Sequence, residues 1–78
     1  MLFMRDKAQN KINTNITNLN ALKIVDNNTD MWIKQQLITK HELLLQHIKE
    51  NTGIDMELFC QVVRNTQIEV DKLIAKCS

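Results

Sequence analysis

Apolar residues recur every three or four positions from residue 30 to residue 77, with one interruption at residues 51–55. This spacing places them on one face of a helix on each side of the interruption. The first face contains Met31, Ile33, Leu37, Ile38, Leu44, Leu45 and Ile48. The second face is wider and contains Met56, Leu58, Phe59, Cys60, Val62, Val63, Val70, Leu73, Ile74 and Cys77. The pattern predicts two amphipathic helices that bury these faces.

The interruption carries the signals of a tight chain reversal. Gly53 is the only glycine. The residue after a helix often adopts the left-handed conformation, which favours glycine because it has no Cβ. Asp55 can accept a backbone N–H as the N-cap of the next helix, and Glu57 adds negative charge near the positive end of its dipole. The sequence therefore predicts an antiparallel helical hairpin that turns at Gly53.

This reversal aligns the apolar layers of the two helices, with Leu37 opposite Val70. It also sets His41 beside Thr66, and each is the polar residue in the middle of its apolar face. We predict a polar core layer in which His41 is hydrogen-bonded, with a pH-responsive packing switch as the alternative. On this basis, His41→Leu is expected to stabilise the fold or change its oligomeric state.

The N-terminal segment carries a weaker pattern. Residues 10–25 are rich in Asn and Thr, whose side chains compete for backbone hydrogen bonds and disfavour helix interiors. Apolar residues nevertheless recur there at helical spacing, at Ile12, Ile16, Leu19, Leu22 and Val25. We predict a loose end over residues 1–9, with a turn or two of helix that carries Leu2, Phe3 and Met4 as the alternative. A short, weak helix that is stable only when docked should follow. Residues 26–30, Asp-Asn-Asn-Thr-Asp, form a polar break of capping and turn-forming residues, so the first long helix should begin within it. The chain thus divides into a weakly helical or flexible segment at 1–29 and a helical hairpin at 30–78.

A chain of 78 residues buries only about 60% of its unfolded surface, so a core built from one chain is marginal. The face of residues 56–77 is wider than one helix covers, while Trp32, Leu43 and Ile68 lie off the main faces. These features predict a contact surface for residues 12–25, for a second copy in a homodimer, or for another protein. The residues of this predicted interaction surface are Trp32, Leu43, Phe59, Val63, Ile68, Val70 and Ile74.

The formal net charge is +1, which gives no strong field for nucleic acid or a membrane surface. Residues 1–25 carry four basic side chains and one acidic one, whereas residues 26–78 carry six basic and eight acidic ones. The basic set at the N-terminus is Arg5, Lys7, Lys11 and Lys23. This segment is the candidate for nucleic-acid binding. A helix-turn-helix over residues 45–63 is disfavoured because Asp55 and Glu57 would repel phosphates.

Candidate catalytic and metal-binding residues do not form a known pattern. His41 and His47 lie on different faces of one helix and cannot ligate one metal together. Cys60 and Cys77 are about 25 Å apart along a helix, too far for a disulfide within one chain. We interpret them as reduced thiols, with an intermolecular bridge through Cys77 as the alternative. Without a glycine-rich phosphate loop, a nucleophile–base pair or a membrane-spanning run, we expect a cytoplasmic, non-enzymatic protein with no cofactor or metal.

The runs Ile38-Thr39-Lys40-His41-Glu42-Leu43-Leu44-Leu45 and Val62-Val63-Arg64-Asn65-Thr66 resemble the small enterobacterial biofilm- and acid-resistance regulators of the AriR/YmgB family. The resemblance covers about the last forty residues and consists of a helix, a short break and a helix. It implies a dimeric helical connector that acts on signalling or transcription through protein contacts. It carries over no catalytic residue.

These features together predict a non-enzymatic interaction module, a homodimeric regulator or connector of signalling or transcription. A second hypothesis is a small chaperone or assembly subunit whose apolar groove holds an amphipathic helix of a partner. A third is nucleic-acid binding through the basic N-terminal segment. No association with a membrane is expected.

Overall fold

The computed structural model describes residues 2–25 and 27–77, which form three helices. These are α1 (Leu2–Ala21), α2 (Asn28–Glu50) and α3 (Met56–Cys77). They form a bundle of 43 × 19 × 17 Å in which α2 runs antiparallel to α1 and α3. The predicted all-α class is confirmed. Over the two described ranges, the helices are too short or too polar to span a membrane.

The N-terminal helix is longer than the sequence predicts. The predicted N-terminal helix is present, but the loose end expected over residues 1–9 and the short length are wrong for the described residues, because α1 runs without a break for 20 residues. Ile12 and Leu19 are fully buried, and Ala8 is nearly so. Burying each large aliphatic side chain contributes roughly 1.5–3 kcal/mol, whereas Asn or Thr in a helix costs at most about 0.7 kcal/mol. Tertiary packing therefore overrides the poor helix propensity of this segment.

The helices α2 and α3 begin at capping residues that the sequence indicates. The side chain of Asn27 accepts a hydrogen bond from the backbone N–H of Asp30 at 3.0 Å, so α2 begins within the predicted polar break. Asp55 Oδ1 accepts one from the N–H of Leu58 at 3.2 Å. The prediction that Asp55 caps α3 is confirmed.

The end of α2 differs from the prediction, because Gly53 does not adopt the left-handed conformation. The helix ends at Glu50, and the next residue, Asn51, has an extended backbone (φ −120°, ψ 121°) but still donates its N–H to the carbonyl of His47. The guanidinium of Arg5 in α1 donates to the carbonyl oxygens of Ile48 and Asn51. A cation on these carbonyls complements the negative end of the helix dipole. A side chain distant in sequence therefore caps this helix, where the sequence suggests glycine.

The core contains two apolar clusters that follow one another along the bundle. The cluster near the α2–α3 turn contains Ala8, Ile12, Ile48, Phe59 and Val63. The cluster at the other end contains Leu19, Leu37, Ile38, Val70 and Leu73. Both take residues from all three helices, so α1 shares its core with the hairpin. The helix α1 packs closely on α2 and α3, which approach each other less closely.

Candidate functional site: two grooves and a buried polar layer

The wider spacing between α2 and α3 leaves a groove along their seam, the α2–α3 groove. The part of it next to the start of α2 has a volume of about 600 Å³, and its apolar lining is Trp32, Ile33, Leu37, Leu43 and Leu73. The part next to the turn has a volume of about 330 Å³, and its aliphatic lining is Leu44, Ile54, Leu58 and Val62. Both parts lie along the α2–α3 seam and have an apolar floor.

Three large apolar side chains of this groove are strongly exposed. The exposed fractions are 63% for Trp32, 61% for Leu43 and 60% for Leu58. Single exposed apolar residues are common on soluble proteins, but their concentration along one groove is typical of a contact surface. Trp32 and Leu43 were both predicted as interaction residues, and the structure places both in the lining of this groove.

The rims of the α2–α3 groove carry charges of both signs. Lys40 Nζ lies 3.6 Å from Glu69 Oε2 across the groove. Because both side chains are about half exposed, this ion pair contributes little to stability. Lys72 continues the rim on α3. The groove therefore has no strong preference for a cationic or an anionic partner.

One end of the groove is closed by a carboxylate that the sequence suggested only as a turn former. Asp30 is 3% exposed and accepts a hydrogen bond from Lys76 Nζ at 2.9 Å. Cys77 Sγ donates to its other oxygen at 3.8 Å. The hydrogen bond and charge of Asp30 raise the pKa of Lys76 above its usual value. Partial burial, helped by the same carboxylate, raises the pKa of the Cys77 thiol, which disfavours the thiolate that forms disulfides.

Replacing Lys76 with methionine should lower the urea concentration at the midpoint of unfolding, because Asp30 would stay buried without its cation. Lys72→Met removes an exposed charge from the same helix and should leave the midpoint unchanged. Since the pKa of Lys76 is raised, the pair stabilises the fold fully at neutral pH. This stabilisation is lost only as the pH rises above the usual lysine range. Equal midpoints for the parent and Lys76→Met would show that the pair does not stabilise the fold.

Several residues predicted for the interaction surface lie elsewhere, and this part of the prediction needs correction. Phe59, Val63 and Val70 are buried in the core of a single chain, because α1 covers the wide face of α3. Ile74 is half-buried against the second cluster. Ile68 is 53% exposed but lines neither the α2–α3 groove nor a second groove, between α1 and α3. Leu58, which the pattern assigned to the core face, belongs to the exposed surface.

Three polar residues are buried at the level of the predicted polar layer. His41 and Thr66 are fully buried, as is Asn15 of α1, and the three lie between the two apolar clusters. His41 Nδ1 lies 2.7 Å from the carbonyl oxygen of Leu37, and Nε2 lies 3.0 Å from Asn15 Nδ2. A carbonyl only accepts, so Nδ1 of the ring donates to Leu37, and Nε2 accepts from the Asn15 amide. Thr66 Oγ1 donates to the carbonyl of Val62 in its own helix at 2.8 Å.

The basic residues of the N-terminal segment do not form one continuous basic surface. Arg5 is used in capping α2, whereas Lys7 and Lys11 line a different groove, between α1 and α3. Lys23 follows the end of α1 and is exposed. The candidate nucleic-acid segment is therefore divided among three places in the fold.

No metal site is evident among residues 2–25 and 27–77, where no three His, Cys, Asp or Glu side chains lie together as ligands. The His47 ring stacks on Phe59, with centroids 6.2 Å apart. Cys60 and Cys77 are both free. Comparison with family models, curated proteins and solved structures finds no match. The resemblance to the AriR/YmgB regulators therefore stays a prediction.

Proposed function

We propose that the chain is a non-enzymatic interaction module that forms a homodimer through the α2–α3 groove. The observation that carries this proposal is the row of exposed apolar side chains, Trp32, Leu43 and Leu58, along one concave seam. Transferring such side chains out of water contributes roughly 1.5–3 kcal/mol each when they become fully buried. A second chain in the groove supplies that burial.

The exposed surface area of the chain is larger than that of a compact monomer of the same mass, as an unfilled groove would require. The chain exposes 5484 Å², whereas a compact monomer of 9.1 kDa exposes roughly 4,900 Å². Part of the difference comes from the elongated shape of the bundle, and part comes from its open seams. A standard interface buries about 800 Å² on each partner, so a dimer would more than remove this excess.

The rim charges favour a second copy over a strongly charged partner. A two-fold axis across the groove sets the Trp32 end of one chain against the Leu58 end of the other, with Leu43 near the axis. Because the rims carry Lys40, Glu69 and Lys72, two copies meet without a block of like charge. The two α2–α3 pairs then form a four-helix bundle, with each α1 on the outside.

The role that fits such a dimer is that of a connector in signalling or transcription, which the resemblance to the AriR/YmgB regulators also supports. The two free cysteines suit a reducing compartment such as the cytoplasm. An interaction module without enzymatic activity agrees with a site that consists of apolar surface and rim charges.

The dimer is tested by size-exclusion chromatography with light scattering. We expect a mass of twice 9.1 kDa for the parent chain and 9.1 kDa for the double variant Trp32→Gln with Leu43→Gln. Ile68→Gln introduces the same amide on an exposed residue outside the groove and should leave the dimer intact. Helical circular dichroism checks that each variant is folded. A parent chain that stays at 9.1 kDa over the whole accessible concentration range would reject the proposal.

A further inference from the structure

We propose that a second groove, between α1 and α3, binds an acidic amphipathic helix of a partner protein. This α1–α3 groove has a volume of about 590 Å³. Its floor consists of Met4, Ala8, Cys60 and Val63, and its rims carry Lys7, Lys11 and Arg64. The homodimer proposed above does not use the α1–α3 groove.

The charges around this groove are of one sign. Lys7 and Lys11 stand on the α1 rim and Arg64 on the α3 rim, and none of the described lining residues is acidic. Of the acidic residues of α3, Glu69 is in the α2–α3 groove and Asp71 accepts a hydrogen bond from Gln67. Glu57 is in the first turn, on the same helix face as Cys60 and Arg64 but outside the lining of the groove. A ligand in this groove therefore meets cations on both sides.

The apolar floor selects the kind of anionic ligand. Phosphate groups lose hydration when they lie on aliphatic side chains, and the described lining offers no aromatic ring on which a base could stack. An amphipathic helix can place its apolar face on Met4 and Cys60 and its acidic flanks beside the rims. Lys11 and Arg64 lie on opposite rims, so carboxylates on the two flanks of the ligand helix can face them.

A second copy of this chain is a poor occupant of the α1–α3 groove. Two copies that met there would bring Lys11 and Arg64 of one chain close to the same cations of the other, and such juxtaposition disfavours association. This groove and the α2–α3 groove lie on opposite sides of α3. A homodimer formed through the α2–α3 groove therefore leaves the cationic groove open to a partner.

The two cysteines allow a direct test on the full chain. Cys60 lines the α1–α3 groove, whereas Cys77 lies at the far end of α3 beside Asp30. The probe is a synthetic helix of about 18 residues, roughly 27 Å long, with leucines on one face and glutamates on both flanks. Saturating probe should slow the alkylation of Cys60 and leave that of Cys77 unchanged, as measured by mass spectrometry.

Two matched controls give the test its specificity. The first is the same peptide with lysine for each glutamate, and the second is an oligothymidine of similar charge; neither should protect Cys60. Protection by the oligothymidine would overturn the proposal in favour of a general polyanion site. Absence of saturable protection by the acidic peptide would also overturn it.

Charge reversal in the groove gives an independent readout by fluorescence anisotropy of the labelled acidic peptide. Lys11→Glu with Arg64→Glu should raise the Kd at least roughly tenfold, because each lost charge contact becomes a repulsive one. Lys23→Glu with Lys49→Glu makes the same change in net charge at exposed positions outside this groove. An equal loss of affinity in both double variants would show that net charge, and not the groove, determines binding.

Discussion

Replacing Ile12 with alanine is expected to lower the free energy of unfolding by about 2–5 kcal/mol. Ile12 is fully buried in the cluster that α1 shares with Ile48 and Phe59. Truncation removes apolar burial and leaves a cavity among three helices that cannot all collapse into it. Small domains have total stabilities of about 5–15 kcal/mol, so this one change should remove a large part of the total. Urea unfolding followed by circular dichroism measures it.

The matched control is Ile68→Ala, which makes the same chemical change at an isoleucine that is 53% exposed. Its effect should stay within about 0.5 kcal/mol. Both variants should show a single transition, because α1 is part of the shared core. If Ile12→Ala released only α1 and left the unfolding of residues 28–77 unchanged, α1 would be an appendage of the hairpin.

The second large effect is expected in the polar layer. His41→Leu should destabilise the fold by about 1–3 kcal/mol, because it leaves the buried amide of Asn15 without an acceptor. This reverses the expectation from the sequence, in which Thr66 was the partner and His41→Leu was expected to stabilise the fold or change its oligomeric state. Asn15→Leu should have a similar effect, since the ring nitrogen of His41 loses its donor.

A double-mutant cycle separates this hydrogen bond from general packing. His41→Leu with Asn15→Leu removes both partners, so its loss of stability should be clearly smaller than the sum of the two single losses. Thr66→Val is the contrasting variant, since Thr66 bonds only within its own helix and its removal leaves no side chain unpaired. Additive losses in the cycle would mean that Asn15 and His41 do not stabilise each other.

The sequence predicts the parts of this fold that depend on local signals and helical periodicity. Asn27 and Asp55 are found as caps because side-chain capping acts over three residues. Leu37 and Val70 share a cluster because a reversal between two periodic helices allows few registers. The polar layer was found on α2 and α3 for the same reason, as His41 and Thr66 each interrupt an apolar stripe.

Tertiary contacts explain what the sequence does not reveal. The helix α1 is stabilised by burial of Ile12 and Leu19 and not by helix propensity. Its many Asn and Thr residues have low helix propensity, so the sequence underestimates the length of the helix. Once α1 covers α3, the wide face that suggested a dimer interface becomes core. Asn15 lies four residues before Leu19 and three after Ile12, and this spacing was the available signal that it shares their face. The ion pair of Asp30 with Lys76 joins the first turn of α2 to the last turn of α3, positions that the register pairing Leu37 with Val70 also brings together.

The three helices form one core, and we propose that a second copy of the chain fills the α2–α3 groove. Trp32 is the only tryptophan and lines this groove, so its emission reports occupancy directly. A dilution series should shift the emission to longer wavelength as the mass falls from twice 9.1 kDa to 9.1 kDa. Emission typical of a hydrated indole at every concentration, with the mass constant at 9.1 kDa, would contradict the account.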